Sequence, residues 1–121
     1  MARVVVFVPD LLFGSTVMGQ LRAAGHEVTL AGSDDAALAA LADGADALVV
    51  DLTVEAPARC ALVSLWRGGG KLGPARTVAF YSHVEGDTRA LALAAGFDAV
   101  VPRSRMAREG AEVVAGVVGA G

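Results

Sequence analysis

Apolar and polar positions along the chain alternate between a strand-like and a helix-like rhythm five times. Arg3–Val8 is a run dominated by Val, which predicts a strand buried on both faces. Leu12–Ala24 follows, with Val17, Met18, Leu21 and Ala24 at helical spacing, and Gly25 is placed to end it. Glu27–Ala31 reads as a short second strand. Ser33 is a suitable N-cap for a helix over Asp34–Ala42, because Asp34 and Asp35 put negative charge in its first turn. Ala47–Val50 predicts a third strand. Pro57 fits the first turn of a third helix that runs to about Arg67, with Ala58, Ala61, Leu62 and Leu65 as its inner face. Gly68-Gly69-Gly70 breaks it. Thr77–Tyr81, Asp87–Ala95 and Ala99–Val101 predict strand, helix and strand. Met106–Val118 predicts a last helix, with Ala107, Gly110, Ala111, Val114 and Val117 along one side.

Strands alternating with helices of this length imply crossover connections and a parallel sheet. The expected architecture is α/β: a three-layer (βα)5 sandwich around a five-stranded parallel sheet, order 2-1-3-4-5, formed by one domain over residues 1–121. Half of a dinucleotide-binding fold is the other arrangement compatible with the pattern. Composition narrows the core. The chain is 55% hydrophobic but only 5% aromatic, so Ala, Val and Leu must fill it. A net charge of −3 argues against a general nucleic-acid surface. The single cysteine, Cys60, excludes an intrachain disulfide and fits a reducing cytoplasm. No apolar stretch approaches the roughly 18 residues of a membrane span, and the first residues lack the regions of a signal peptide.

Candidate chemistry lies where the strands end, because open parallel sheets place their sites at the carboxyl ends of strands. Asp51 ends the most apolar run, Ala47–Val50. Asp10, Ser82 and Arg103 end other runs in the same manner. Arg103, Arg105 and Arg108 form a basic cluster near the start of the last helix, with Ser104 able to cap it. His83, near Glu85 and Asp87, has no nucleophile partner in view. Cys60 reads as a buried structural thiol and Trp66 as a partial core plug.

With the strands placed, the chain resembles the receiver domain of two-component response regulators over nearly its whole length. Leu21-Arg22-Ala23-Ala24-Gly25-His26-Glu27-Val28 is similar to that family's passage from first helix to second strand. Ala47-Leu48-Val49-Val50-Asp51-Leu52 resembles its phospho-acceptor segment, and Ala95-Gly96-Phe97-Asp98-Ala99-Val100-Val101 its turn into the fifth strand. The resemblance makes Asp51 the phospho-acceptor equivalent, with Asp10, Ser82 and Arg103 lining the site. It implies a non-enzymatic signalling module without catalytic residues. Such a module would act on a protein partner, or a second copy of this chain, through a face carrying Leu91, Val100 and Met106.

The departures from that pattern matter as much. Val8 and Pro9 stand where the family keeps an acidic pair for Mg²⁺, and neither offers a side-chain oxygen. Asp10 and Asp51 alone would hold such a cation with less charge. Arg103 replaces a lysine and could pair with Asp51 in a fixed state. The expectation is therefore a receiver-like domain without normal Mg²⁺-dependent phosphorylation of Asp51 and with no resident cofactor. The competing reading is a small-ligand or nucleotide-binding flavodoxin-like domain, using Gly14, Ser15 and Thr16 in the first turn. No glycine-rich dinucleotide or P-loop motif supports it.

Overall fold

A computed structural model describes residues 2–82 and 86–119. Its elements run β1 (Arg3–Phe7), α1 (Leu11–Ala23), β2 (Glu27–Ala31), α2 (Asp34–Ala42), β3 (Ala47–Asp51), α3 (Ala56–Gly68), β4 (Arg76–Tyr81), α4 (Gly86–Ala94), β5 (Ala99–Pro102) and α5 (Arg103–Gly119). The strands form one sheet, all parallel, in the order β2-β1-β3-β4-β5. This is the expected topology. The chain moves outward from β1 to β2 and then returns past β1 to β3, so the connections diverge between the carboxyl ends of β1 and β3.

Strand alternation sorts the core into two layers. Val4, Val6, Val8, Val49, Val78 and Phe80 pack with Phe13, Val17 and Leu21 of α1 and Met106, Val113 and Val114 of α5. Val5, Phe7, Leu48, Val50, Ala79 and Tyr81 pack on the other side with residues of α2, α3 and α4, including Leu41, Cys60, Trp66 and Ala92. Val-rich strands covered on both faces explain why β1, β3 and β4 read as continuous apolar runs rather than alternating ones. At the amino ends of the strands, Asp46 accepts a hydrogen bond from the Arg3 N–H at 2.8 Å. Asp98 does the same for the Thr77 N–H at 2.7 Å.

Two expectations need correction. The inner face of α3 is not Ala58, Ala61, Leu62 and Leu65: Ala58, Ala61 and Leu65 are exposed and Leu62 is half-buried. Ala56, Arg59, Cys60, Val63 and Trp66 face the sheet instead. The segment is apolar nearly all round, so period alone does not fix its phase. The packing of Trp66 against Phe7, with ring centroids 6.1 Å apart, accompanies the phase adopted. The last helix also starts earlier than expected, at Arg103, which brings the basic cluster into its first two turns.

Candidate functional site

The four strand-end residues do gather at the carboxyl edge of the sheet, but in an unexpected pairing. Asp10 is the N-cap of α1: its Oδ1 accepts from the N–H groups of Leu12 at 3.0 Å and Phe13 at 3.2 Å. Its Oδ2 lies 3.9 Å from a terminal nitrogen of Arg103. The Arg103 guanidinium stacks over the Phe13 ring, 4.0 Å from its centroid. Arg103 therefore pairs with Asp10, and among the described residues no ion pair joins it to Asp51. Ser82 lines the same small pocket of about 230 Å³ as Phe13, Arg103, Ser104 and Ala107.

Asp51 is only 4% exposed and continues the β3 ladder opposite Phe80. Its Oδ1 accepts from both the backbone N–H (2.8 Å) and the hydroxyl of Thr53. This is an Asx-type turn, in which the carboxylate orders the loop that follows the strand. Behind that turn Glu55 adopts a left-handed conformation, φ 52°, and α3 begins. It is the only non-glycine residue at positive φ among the described residues, so the backbone at the entry to α3 is held in a region that side chains disfavour.

Arg59 was not foreseen as part of this region. It lies on α3, 9% exposed, and donates a 2.8 Å hydrogen bond to the carbonyl of Asp51. Its guanidinium carbon sits 5.2 Å from the Phe7 centroid. Among the described residues no carboxylate lies within ion-pairing distance of it. It thus places a buried positive charge under the β1/β3 crevice, held by a carbonyl and a ring face. Arg59 escaped notice because one arginine in an apolar helix reads as a solvated side chain.

Nothing in this donor set fits a divalent cation well. Val8 is completely buried within the α1/α5 layer and donates its N–H to the Ala31 carbonyl at 3.1 Å, as a strand residue. Asp10 spends one oxygen on a helix cap and faces a guanidinium with the other. No group of three or more His, Cys, Asp or Glu able to hold a metal ion occurs among the described residues. The rim also carries exposed apolar side chains: Leu11 and Leu12 after β1 and Val54 after β3 are 69%, 82% and 56% exposed.

Leu91 is at the surface, Val100 is half-buried, and Met106 is completely buried against α1 and the sheet, so Met106 cannot touch a partner in this conformation. Cys60 and Trp66 are both buried, and burial pushes the Cys60 thiol above its usual range. His83 and Glu85 lie outside the described residues. No described helix is long and apolar enough to cross a membrane.

Five parallel strands in the order β2-β1-β3-β4-β5, with α1 and α5 on one face and α2, α3 and α4 on the other, give the flavodoxin-like α/β fold that receiver domains share. Comparisons support the fold assignment. A response regulator from Thermotoga maritima superposes with a TM-score of 0.83 at 18% identity, covering 97% of each chain. The chemotaxis protein CheY4 of Vibrio cholerae gives 0.82 at 17% identity, over 97% of this chain and 98% of that one. The signal receiver domain of the response regulator NarL from Mycobacterium tuberculosis gives 0.81 at 22% identity, over 98% and 96%. No protein-family model matches the sequence. No curated protein matches it either.

Proposed function

We propose that this chain is a receiver-like signalling domain that acts through contact with a protein partner, without catalysis and without Mg²⁺-dependent phosphorylation of Asp51. One observation carries this reading: the position next to Asp51 on the adjacent strand end is Val8, sealed in the core, where phosphoryl transfer would require a metal-holding oxygen. A phosphodonor approaching Asp51 would meet an anion whose charge no bound cation offsets. The exposed Leu11 and Leu12 in the first turn of α1 and Val54 in the loop after β3, together with Leu91 on α4, suit contact with another protein better than contact with a free phosphate.

The test is intact-mass measurement after incubation with acetyl phosphate and MgCl₂. The expected result is an unchanged mass for the wild-type chain. A phosphoryl adduct that disappears in Asp51→Asn overturns the unphosphorylated reading. The contact surface is tested by photo-crosslinking residues at Leu12, Leu91 and Thr29, the last exposed on the far edge strand β2. Discrete adducts are expected at the first two positions. An adduct at Thr29 alone places the partner elsewhere.

A further inference from the structure

Helix α5 is broken inside. Glu109 has φ −127° and ψ 23°, far from helical values of about −63° and −42°. Sharp breaks of this type arise at proline, at glycine or serine pairs, at π-bulges, or where a side chain enters the hydrogen-bond ladder. The last cause is present here. In an unbroken helix the Ala111 N–H would donate to the Ala107 carbonyl. Instead Ala111 donates to Oε1 of Gln20, at 2.7 Å, and Ala107 accepts from Nε2 of Gln20, also at 2.7 Å. A single side-chain amide from α1 thus takes both ends of the missing backbone bond. Only one orientation of that amide satisfies both groups, so its oxygen and nitrogen are fixed by the ladder it interrupts.

The neighbouring residues are shaped around this insertion. Gly110 is buried, and a Cβ there would come within 3.2 Å of Gln20 Oε1 and 3.1 Å of Met106 Cε. A side chain there would press on the amide, which would have to shift by a few tenths of an ångström from the position that serves both bonds. Ala107, whose carbonyl Gln20 holds, also lines the pocket shared by Phe13, Ser82, Arg103 and Ser104. The part of α5 before the break carries Arg103, which stacks on Phe13 and faces Asp10, both at the start of α1. Helix α1 therefore grips the first half of α5 at two points, Phe13 with Asp10 at one end and Gln20 further along.

We propose that Gln20 is a positioning residue that clasps α5 in its broken form and so sets Arg103 over Phe13 and Asp10 at the strand-end site. The clasp creates a two-state element. With Gln20 inserted, α5 is broken and Arg103 is seated. With Gln20 withdrawn, the Ala111–Ala107 bond closes, the helix straightens and the Arg103 turn moves off Phe13. A contact that favours a straight α5 would unseat Arg103, and a ligand or partner that favours a seated Arg103 would strengthen the clasp. This device holds whatever the identity of the partner.

NMR on the full chain tests it, with Gln20→Met, which keeps the side-chain length but removes both hydrogen bonds. The three-bond amide–Hα coupling of Glu109 is expected to fall by roughly half as its φ moves toward the helical −63° or so. The upfield ring-current shift of the Arg103 δ protons is expected to be lost. Gly110→Ala presses on the same amide from the other side and should move both readouts in the same direction. In the unmutated chain, the Gln20 side-chain amide protons should exchange slowly with solvent. An unchanged Glu109 coupling in the variants overturns the clasp, as does rapid exchange of the Gln20 amide in the wild type. A Glu109 coupling that falls while the Arg103 shift persists overturns the positioning role.

Discussion

An arginine lies over a phenylalanine on each side of the sheet, near the carboxyl ends of the strands: Arg59 over Phe7 beneath α3, and Arg103 over Phe13 at the start of α5. The contacts look alike and the surroundings do not. Arg59 is nearly sealed, and its hydrogen bond goes to the carbonyl of Asp51. The Arg103 side chain is half exposed, and its carboxylate partner Asp10 is 3.9 Å away and also half exposed. Removal from water makes a charge costly unless its partners are fixed, and fixed partners make it a structural element. A solvated charge at long range is weakly held and can move. The two guanidiniums thus have different tasks: Arg59 stiffens the end of β3 at Asp51, and Arg103 is the part of the site free to respond.

The largest effect that would break this comparison is on stability. Arg59→Ala removes a charged hydrogen bond and leaves the Asp51 carbonyl without its donor, which costs on the order of 2 kcal/mol. Arg59→Met, which refills the volume, should recover much of that loss, since a well-packed apolar replacement avoids the desolvation of a buried ion. Arg103→Ala should change stability by less than about 0.5 kcal/mol. Urea unfolding of the variants checks all three. Equal losses for the two alanine variants would erase the distinction between the pairs.

A smaller effect separates the two tasks of Asp10. Asp10→Ala deletes the cap of α1 and should cost about 1 kcal/mol. Asp10→Asn keeps a capping oxygen while removing the charge facing Arg103, and should stay near wild type in the same unfolding experiment. If the asparagine variant is as unstable as the alanine variant, the ion pair with Arg103 contributes more than its length and exposure allow, and Arg103 is not the freely responding member.

The strand order and the strand-end location of Asp10, Asp51, Ser82 and Arg103 were legible because they depend on one-dimensional signals. Val-rich runs, helical spacing and glycine stops mark the elements, and parallel-sheet topology carries their ends to one edge. What stayed hidden depends on direction. The phase of α3 could not be read from Ala56–Trp66, where apolar residues occur on every side, so Arg59 was not seen to point inward. The partner of Arg103 depends on where α5 begins, and a start at Arg103 rather than Met106 swings it to Phe13 and Asp10. Gln20 gave no signal, because a single polar residue on an amphipathic helix is ordinary until the helix it meets is known to be broken.

The smallest expected effect tests whether the Arg59 charge governs its surroundings. Cys60 follows Arg59 on the same buried face of α3. A guanidinium close to a thiol would stabilise the thiolate and lower the pKa. Burial instead holds the Cys60 thiol above its usual value of 9.0, so removal from water is the dominant influence. The folded state then prefers the protonated thiol. Its contribution to stability is complete below about pH 9, the unfolded value, and declines as pH rises through the higher folded value. Thiol reagents at pH 8 should react with the native chain much more slowly than with the urea-unfolded chain. Cys60→Ala should remove the alkaline loss of stability attributable to this group, and Arg59→Met should leave the native thiol slow. Fast native reaction that disappears in Arg59→Met would show that the buried guanidinium activates its neighbour, making Arg59 as much a chemical element of the molecule as Arg103.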